Sequence, residues 1–63
     1  MTGPELKALR ENAGVTQSQI ASRAGWSHRA VVSQIEGRVS VAPGTAQRYL
    51  KALTEEQASR VLA

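Results

Sequence analysis

Apolar residues recur along this chain at spacings of three and four, interrupted by glycines. Leu6, Leu9 and Ala13 form one stripe, Ile20, Ala21 and Ala24 a second, and Val32 with Ile35 a third. Ala46, Tyr49, Leu50 and Leu53 form a fourth, and Ala58, Val61 and Leu62 a fifth. Such spacing puts apolar side chains on one face of an α-helix and polar ones on the other. The apolar–polar alternation of half-buried strands is missing. Three segments carry a capping-box pattern: Thr2-Gly3-Pro4-Glu5, Thr16-Gln17-Ser18-Gln19 and Thr54-Glu55-Glu56-Gln57. In each, the Thr hydroxyl can accept a first-turn backbone N–H, and the Glu or Gln three residues on can accept the N–H of the Thr. Gly14 and Gly25 stand where a left-handed residue closes a helix, and Gly37 stops the third stripe. The pattern predicts a compact all-α domain over residues 1–63, with five helices at about 3–13, 17–24, 28–36, 44–53 and 55–62. Ser27 is the expected N-cap of the third helix, and residues 38–43 form a loop.

Helices two and three, over about 16–36, are short and meet across a tight turn at Gly25. Two helices packed in this way have the form of a helix-turn-helix, whose second helix enters the DNA major groove. Val32 and Ile35 make a good inward pair for that helix. His28, Arg29, Ala30, Ser33 and Gln34 cover the rest of it.

Composition narrows the picture. A chain of 63 residues has room for one small core. It has no cysteine, hence no disulfide and no thiolate metal site. Trp26 and Tyr49 are its only aromatic residues, too few for a single-strand stacking platform. No apolar run approaches the roughly 20 residues of a membrane span, and no signal peptide is visible. The net charge is +3, which suits a polyanionic partner. Between Val15 and Ala42 the charged residues are Arg23, Arg29, Arg38 and one acid, Glu36. The other acids, Glu5, Glu11, Glu55 and Glu56, lie toward the ends. No paired catalytic carboxylates, nucleophile–base pair, phosphate loop or metal spacing is present, so no enzyme, cofactor or small-molecule ligand is expected.

The order of several short motifs resembles the lambda-repressor-like, Cro and cI type helix-turn-helix regulators. The resemblance covers nearly the whole chain. It rests on Leu6-Lys7-Ala8-Leu9-Arg10, Val15-Thr16-Gln17 with Ile20-Ala21, Gly25 and Ser27, Val32-Ser33-Gln34-Ile35-Glu36, Pro43, and Leu50-Lys51-Ala52-Leu53. Regulators of this type usually carry an apolar residue six positions after the turn glycine and another three later. Here those positions hold Val31 and Gln34. The inward pair Val32 and Ile35 instead places one extra residue in the Gly25–Arg29 turn, compensated by one fewer between Glu36 and Gly37. The two registers differ by about 100° of helix rotation.

The resemblance implies a compact five-helix lambda-repressor-like domain and a repressor of transcription that occupies a double-stranded DNA operator. Such proteins work in the cytoplasm of bacteria, as bacterial or bacteriophage regulators. Gln17 is expected on a DNA phosphate at the N-terminus of helix two, where backbone N–H groups and the helix dipole favour an anion. Arg29 is the best base reader, since arginine pairs bidentately with guanine. Gln34 suits adenine, Ser33 is permissive, and Ala30 can meet a thymine methyl. Ser27 completes this set at the start of the helix. His28 either packs beside Val32 and Ile35 or faces DNA. Arg38 and Ser40 are expected on phosphate in the following loop. The resemblance also implies an ion pair between Arg10 and Glu36. Trp26 is expected as a partly buried plug, and Arg48, Lys51 and Arg60 in solvent, with Arg48 near enough to reach phosphate.

A two-fold dimer through the 53–62 region and a monomer that pairs only on DNA both fit. The alternative function is a protein-interaction module or antitoxin-type regulator that keeps the fold. The basic segment from Arg29 to Arg38 speaks against the interaction module.

Overall fold

In the computed structural model, which describes residues 1–62, the chain forms four helices. They are α1 (Gly3–Asn12), α2 (Gln17–Ala24), α3 (Arg29–Glu36) and α4 (Pro43–Leu62). Two of the three threonine boxes close. The Thr2 hydroxyl accepts the Glu5 N–H at 3.2 Å while the Glu5 carboxylate accepts the Thr2 N–H at 2.8 Å. Thr16 and Gln19 do the same for α2 at 3.1 and 2.9 Å. The helices also end alike. Gly14 and Gly25 adopt positive φ, +69° and +77°, a region that costs other residues energy. After each, a buried or half-buried apolar residue bonds backward: Val15 N–H to the Arg10 carbonyl and Trp26 N–H to the Ala21 carbonyl. This is the Schellman closure, apolar contact included.

The expected five helices are four. Residues 44–53 and 55–62 lie in one continuous α4. The third threonine box does not form, because the Thr54 hydroxyl donates to the Leu50 carbonyl at 2.9 Å, four residues back. That bond satisfies the hydroxyl inside a helix, and no glycine or proline lies nearby to stop the chain. Ala58 and Val61, expected to pack back, are exposed instead, Val61 to 85%. The Leu62 side chain, expected beside them, lies outside the described residues.

Two further expectations change. Leu9 is 43% exposed, and the buried positions of α1 are Gly3, Leu6 and Arg10. The helix has turned its glycine and arginine toward α3 in place of the leucine. The N-cap of α3 is His28, not Ser27, and its side chain makes no capping bond. The left-handed turn at Gly25 carries the chain one residue further before it becomes extended at His28 (φ −142°, ψ 149°).

The core gathers Leu6, Val15, Ile20, Ala21, Val32, Ile35, Tyr49 and Leu53, with smaller alanines between them. α2 packs against α4 and α3, and α1 packs against α3 and α4. Val32 and Ile35 are both buried while Val31 is half-buried and Gln34 exposed, which settles the rotation of α3. Among the described residues no helix is long and apolar enough to cross a membrane.

Candidate nucleic-acid interface

α3 is eight residues long, too short to hold its own direction in water. Its C-terminal end is fixed from several sides. The Glu36 carboxylate accepts bonds from Arg10 Nε at 2.7 Å and Nη2 at 3.2 Å, from Gln17 Nε2 at 3.0 Å and from the Tyr49 hydroxyl at 2.5 Å. These donors come from α1, α2 and α4. Arg10 also donates through Nη1 to the Val15 carbonyl at 2.9 Å. Burial alone would push the Glu36 carboxyl up, but the donors Arg10, Tyr49 and Gln17 outweigh it and hold it below its ordinary value. The bond to Glu36 raises the Arg10 guanidinium further. Burial first, and the same carboxylate second, push the Tyr49 phenol well above its ordinary range.

The backbone adds two more ties. The Gly3 N–H donates to the Arg38 carbonyl at 2.8 Å, and the Val41 N–H to the Met1 carbonyl at 2.9 Å. Gly3 sits so close to α3 that a Cβ there would run into the carbonyls of Ile35 and Glu36.

With its inner side held, α3 presents an outer side of Arg29, Ala30, Ser33 and Gln34, all exposed. Together with Gln17 they line one shallow groove. A second groove continues from it around the start of α2, bordered by Lys7, Thr16, Gln17, Ser18 and Arg29. The Gln17 and Ser18 backbone N–H groups have no partner there among the described residues. Free N–H groups and the positive end of the helix dipole favour an anion. A third groove, shared again by Arg29, runs beside Ser22, Trp26, Ser27 and His28.

The charge of this side follows from which acids are consumed. Glu36, the one acid between Val15 and Ala42, is buried against Arg10. Arg23 is paired with Glu56 at 2.9 Å. Lys7, Arg29 and Arg38 make no ion pair among the described residues.

The structure therefore brings Gln17, Arg29, Ala30, Ser33 and Gln34 into one groove and sets Ser27 and His28 in the adjoining one. His28 is exposed and takes no part in the core. Arg38 and Ser40 are exposed beyond the other end of α3 and border neither groove. Gln17 has one amide hydrogen on Glu36, which leaves its second for an outside acceptor. Trp26 is half-buried against the core, as a plug would be.

Four residues have roles that no local sequence pattern announces. Lys7 borders the α2 groove only because α1 crosses near it, and no local pattern says so. Tyr49 was legible as core, but its hydroxyl partner lies 13 residues away. Arg48 and Arg60 are exposed, as expected, and in addition bond to the carbonyl ends of other helices. Arg48 Nε donates to Ala24 at 2.6 Å, and Arg60 Nη1 to Ala13 at 3.1 Å.

Comparison with protein families gives a match to a family described as a helix-turn-helix domain, over residues 3–62. No curated protein and no solved structure matches the chain.

Proposed function

Since this chain belongs to the helix-turn-helix domain family, we propose that it is a sequence-specific transcriptional regulator of the Cro and cI type. In this reading α3 lies in the major groove of an operator and represses by occupying it. The observation that carries the reading is the outer side of α3. Arg29, Ala30, Ser33 and Gln34 stand exposed on a helix whose other side is locked by the Glu36 bonds. A base reader has to be both accessible and held in register.

The roles then divide by chemistry. Arg29 takes guanine through its fork, Gln34 takes adenine, Ser33 accepts or donates as required, and Ala30 meets a methyl. Phosphates sit at the start of α2 on the free N–H groups, on the second Gln17 amide hydrogen and on Lys7. Ser27 and His28 face the backbone on one flank of α3, and Arg38 and Ser40 on the other. The protein acts by binding, without catalysis, in the bacterial cytoplasm where its operator is, and two copies on a palindromic site would match the usual operator symmetry.

Substitution separates the two kinds of contact. Gln34→Ala should cost about 1–3 kcal/mol on the preferred sequence and relax the preference at one base pair. Lys7→Ala should weaken preferred and random duplexes alike and lower the salt slope by about one. Loss of affinity without loss of preference for Gln34→Ala would remove α3 as the reader.

A further inference from the structure

The turn between α2 and α3 is gripped from α4. Arg48 Nε donates to the Ala24 carbonyl, the last residue of α2, at 2.6 Å. The same guanidinium lies over the Trp26 ring, 5.4 Å from its centroid. A Cβ on Gly25, the left-handed residue between them, would come within 3.2 Å of Arg48 Nη2. One side chain thus covers three successive residues of the turn. It closes the carbonyl end of α2, where a cation is favoured, and stacks on the aromatic residue that leads into α3. Ser27 and His28 follow with no side-chain cap, so the start of α3 has no side-chain bonds like those that Glu36 makes at its end.

We propose that Arg48 is a positioning residue for α3: by clamping Ala24, Gly25 and Trp26 from α4, it sets where Arg29 and Ala30 meet DNA, and so sets sequence preference without touching a base. This rests on the DNA-binding reading given above. It differs from a phosphate contact by Arg48, which would need only the positive charge.

The difference decides the test. Arg48→Lys keeps the charge but loses the mid-chain Nε donor and the planar stack. Arg48→Ala loses everything. Both would be measured against the motif that the unaltered chain selects from random duplexes, and against random duplex, well below the unfolding temperature. Amide hydrogen exchange of residues 26–31 would be followed alongside. The expected result is a loss of affinity for the motif about fivefold larger than for random duplex in both variants, with faster exchange at those amides. Three results would overturn the proposal. Equal loss on both duplexes, restored by Arg48→Lys, would make Arg48 a phosphate contact. Lower thermal stability with an unchanged motif-to-random ratio and unchanged exchange would make it a structural cap only. If the unaltered chain selects no motif at all, the DNA-binding reading falls and takes this role with it. If Arg48→Ala fails to fold, Arg48→Lys carries the test alone.

Discussion

Glu36 ties α3 to α1, α2 and α4 through one carboxylate. Breaking a buried pair by removing one partner leaves the other charge uncompensated, at about 3–5 kcal/mol. Arg10→Ala is therefore expected to be the most destabilising single change on this surface, read by urea unfolding. Tyr49→Phe, which removes one neutral donor and leaves the guanidinium in place, should cost about 1 kcal/mol. The acid dependence has a defined sign. The Glu36 carboxyl is held below its ordinary value of 4.5 in the folded chain. Its contribution is thus complete at neutral pH, begins to fall as pH drops toward 4.5, and is gone below the lower folded value. The stability gap between the unaltered chain and Glu36→Gln should narrow between about pH 7 and about pH 3. A gap that stays constant over that range would mean that ionisation of Glu36 contributes nothing. The Arg10–Glu36 pair was legible through family resemblance. The Gln17 and Tyr49 bonds were not, because no periodicity reports which side-chain atoms converge on one carboxylate.

Helix ends were legible where a local rule had no competitor. Thr2, Thr16, Gly14 and Gly25 all behave as their positions predict, since caps and left-handed glycines act within a few residues. The same rule failed at Thr54. There the flanking sequence is good helix on both sides, and a Thr can satisfy its hydroxyl four residues back as well as at an N-cap. Leu9 failed for a different reason. Which face of α1 turns inward was decided by Gly3 and Arg10 meeting α3, a contact between distant parts of the chain. The two threonines should therefore respond oppositely to truncation. Thr16→Ala should cost about 1 kcal/mol in thermal or urea unfolding, as a lost N-cap does. Thr54→Ala should stay within about 0.5 kcal/mol of the unaltered chain. A large loss at Thr54 would mean that the helix is interrupted there after all. Gly3→Ala should cost about 1–3 kcal/mol, because the clash is with backbone rather than with a movable side-chain tip.

At the scale of the molecule, one small core and one buried polar network hold four helices so that the outer side of α3, formed by Arg29, Ala30, Ser33 and Gln34, is exposed and carries no acid. Domains of this size have little stability to spare, which is why single changes at Arg10 or Gly3 should be visible in whole-chain unfolding. α4 serves as a strut, its arginines closing the carbonyl ends of α1 and α2. Near α3 lie the free Gln17 and Ser18 N–H groups and, among the described residues, the cations Lys7 and Arg29 outside any ion pair, which supports the proposed meeting with a polyanion along that side. Under the proposed function, α3 reads sequence there. The most direct measurement is selection from a random-duplex pool, with sequencing of the bound fraction, at about 50 and about 200 mM salt. A short enriched motif is expected at both salts, with total binding weaker at the higher one. Binding that falls with salt yet enriches no motif, or no binding at either salt, would contradict sequence reading by α3.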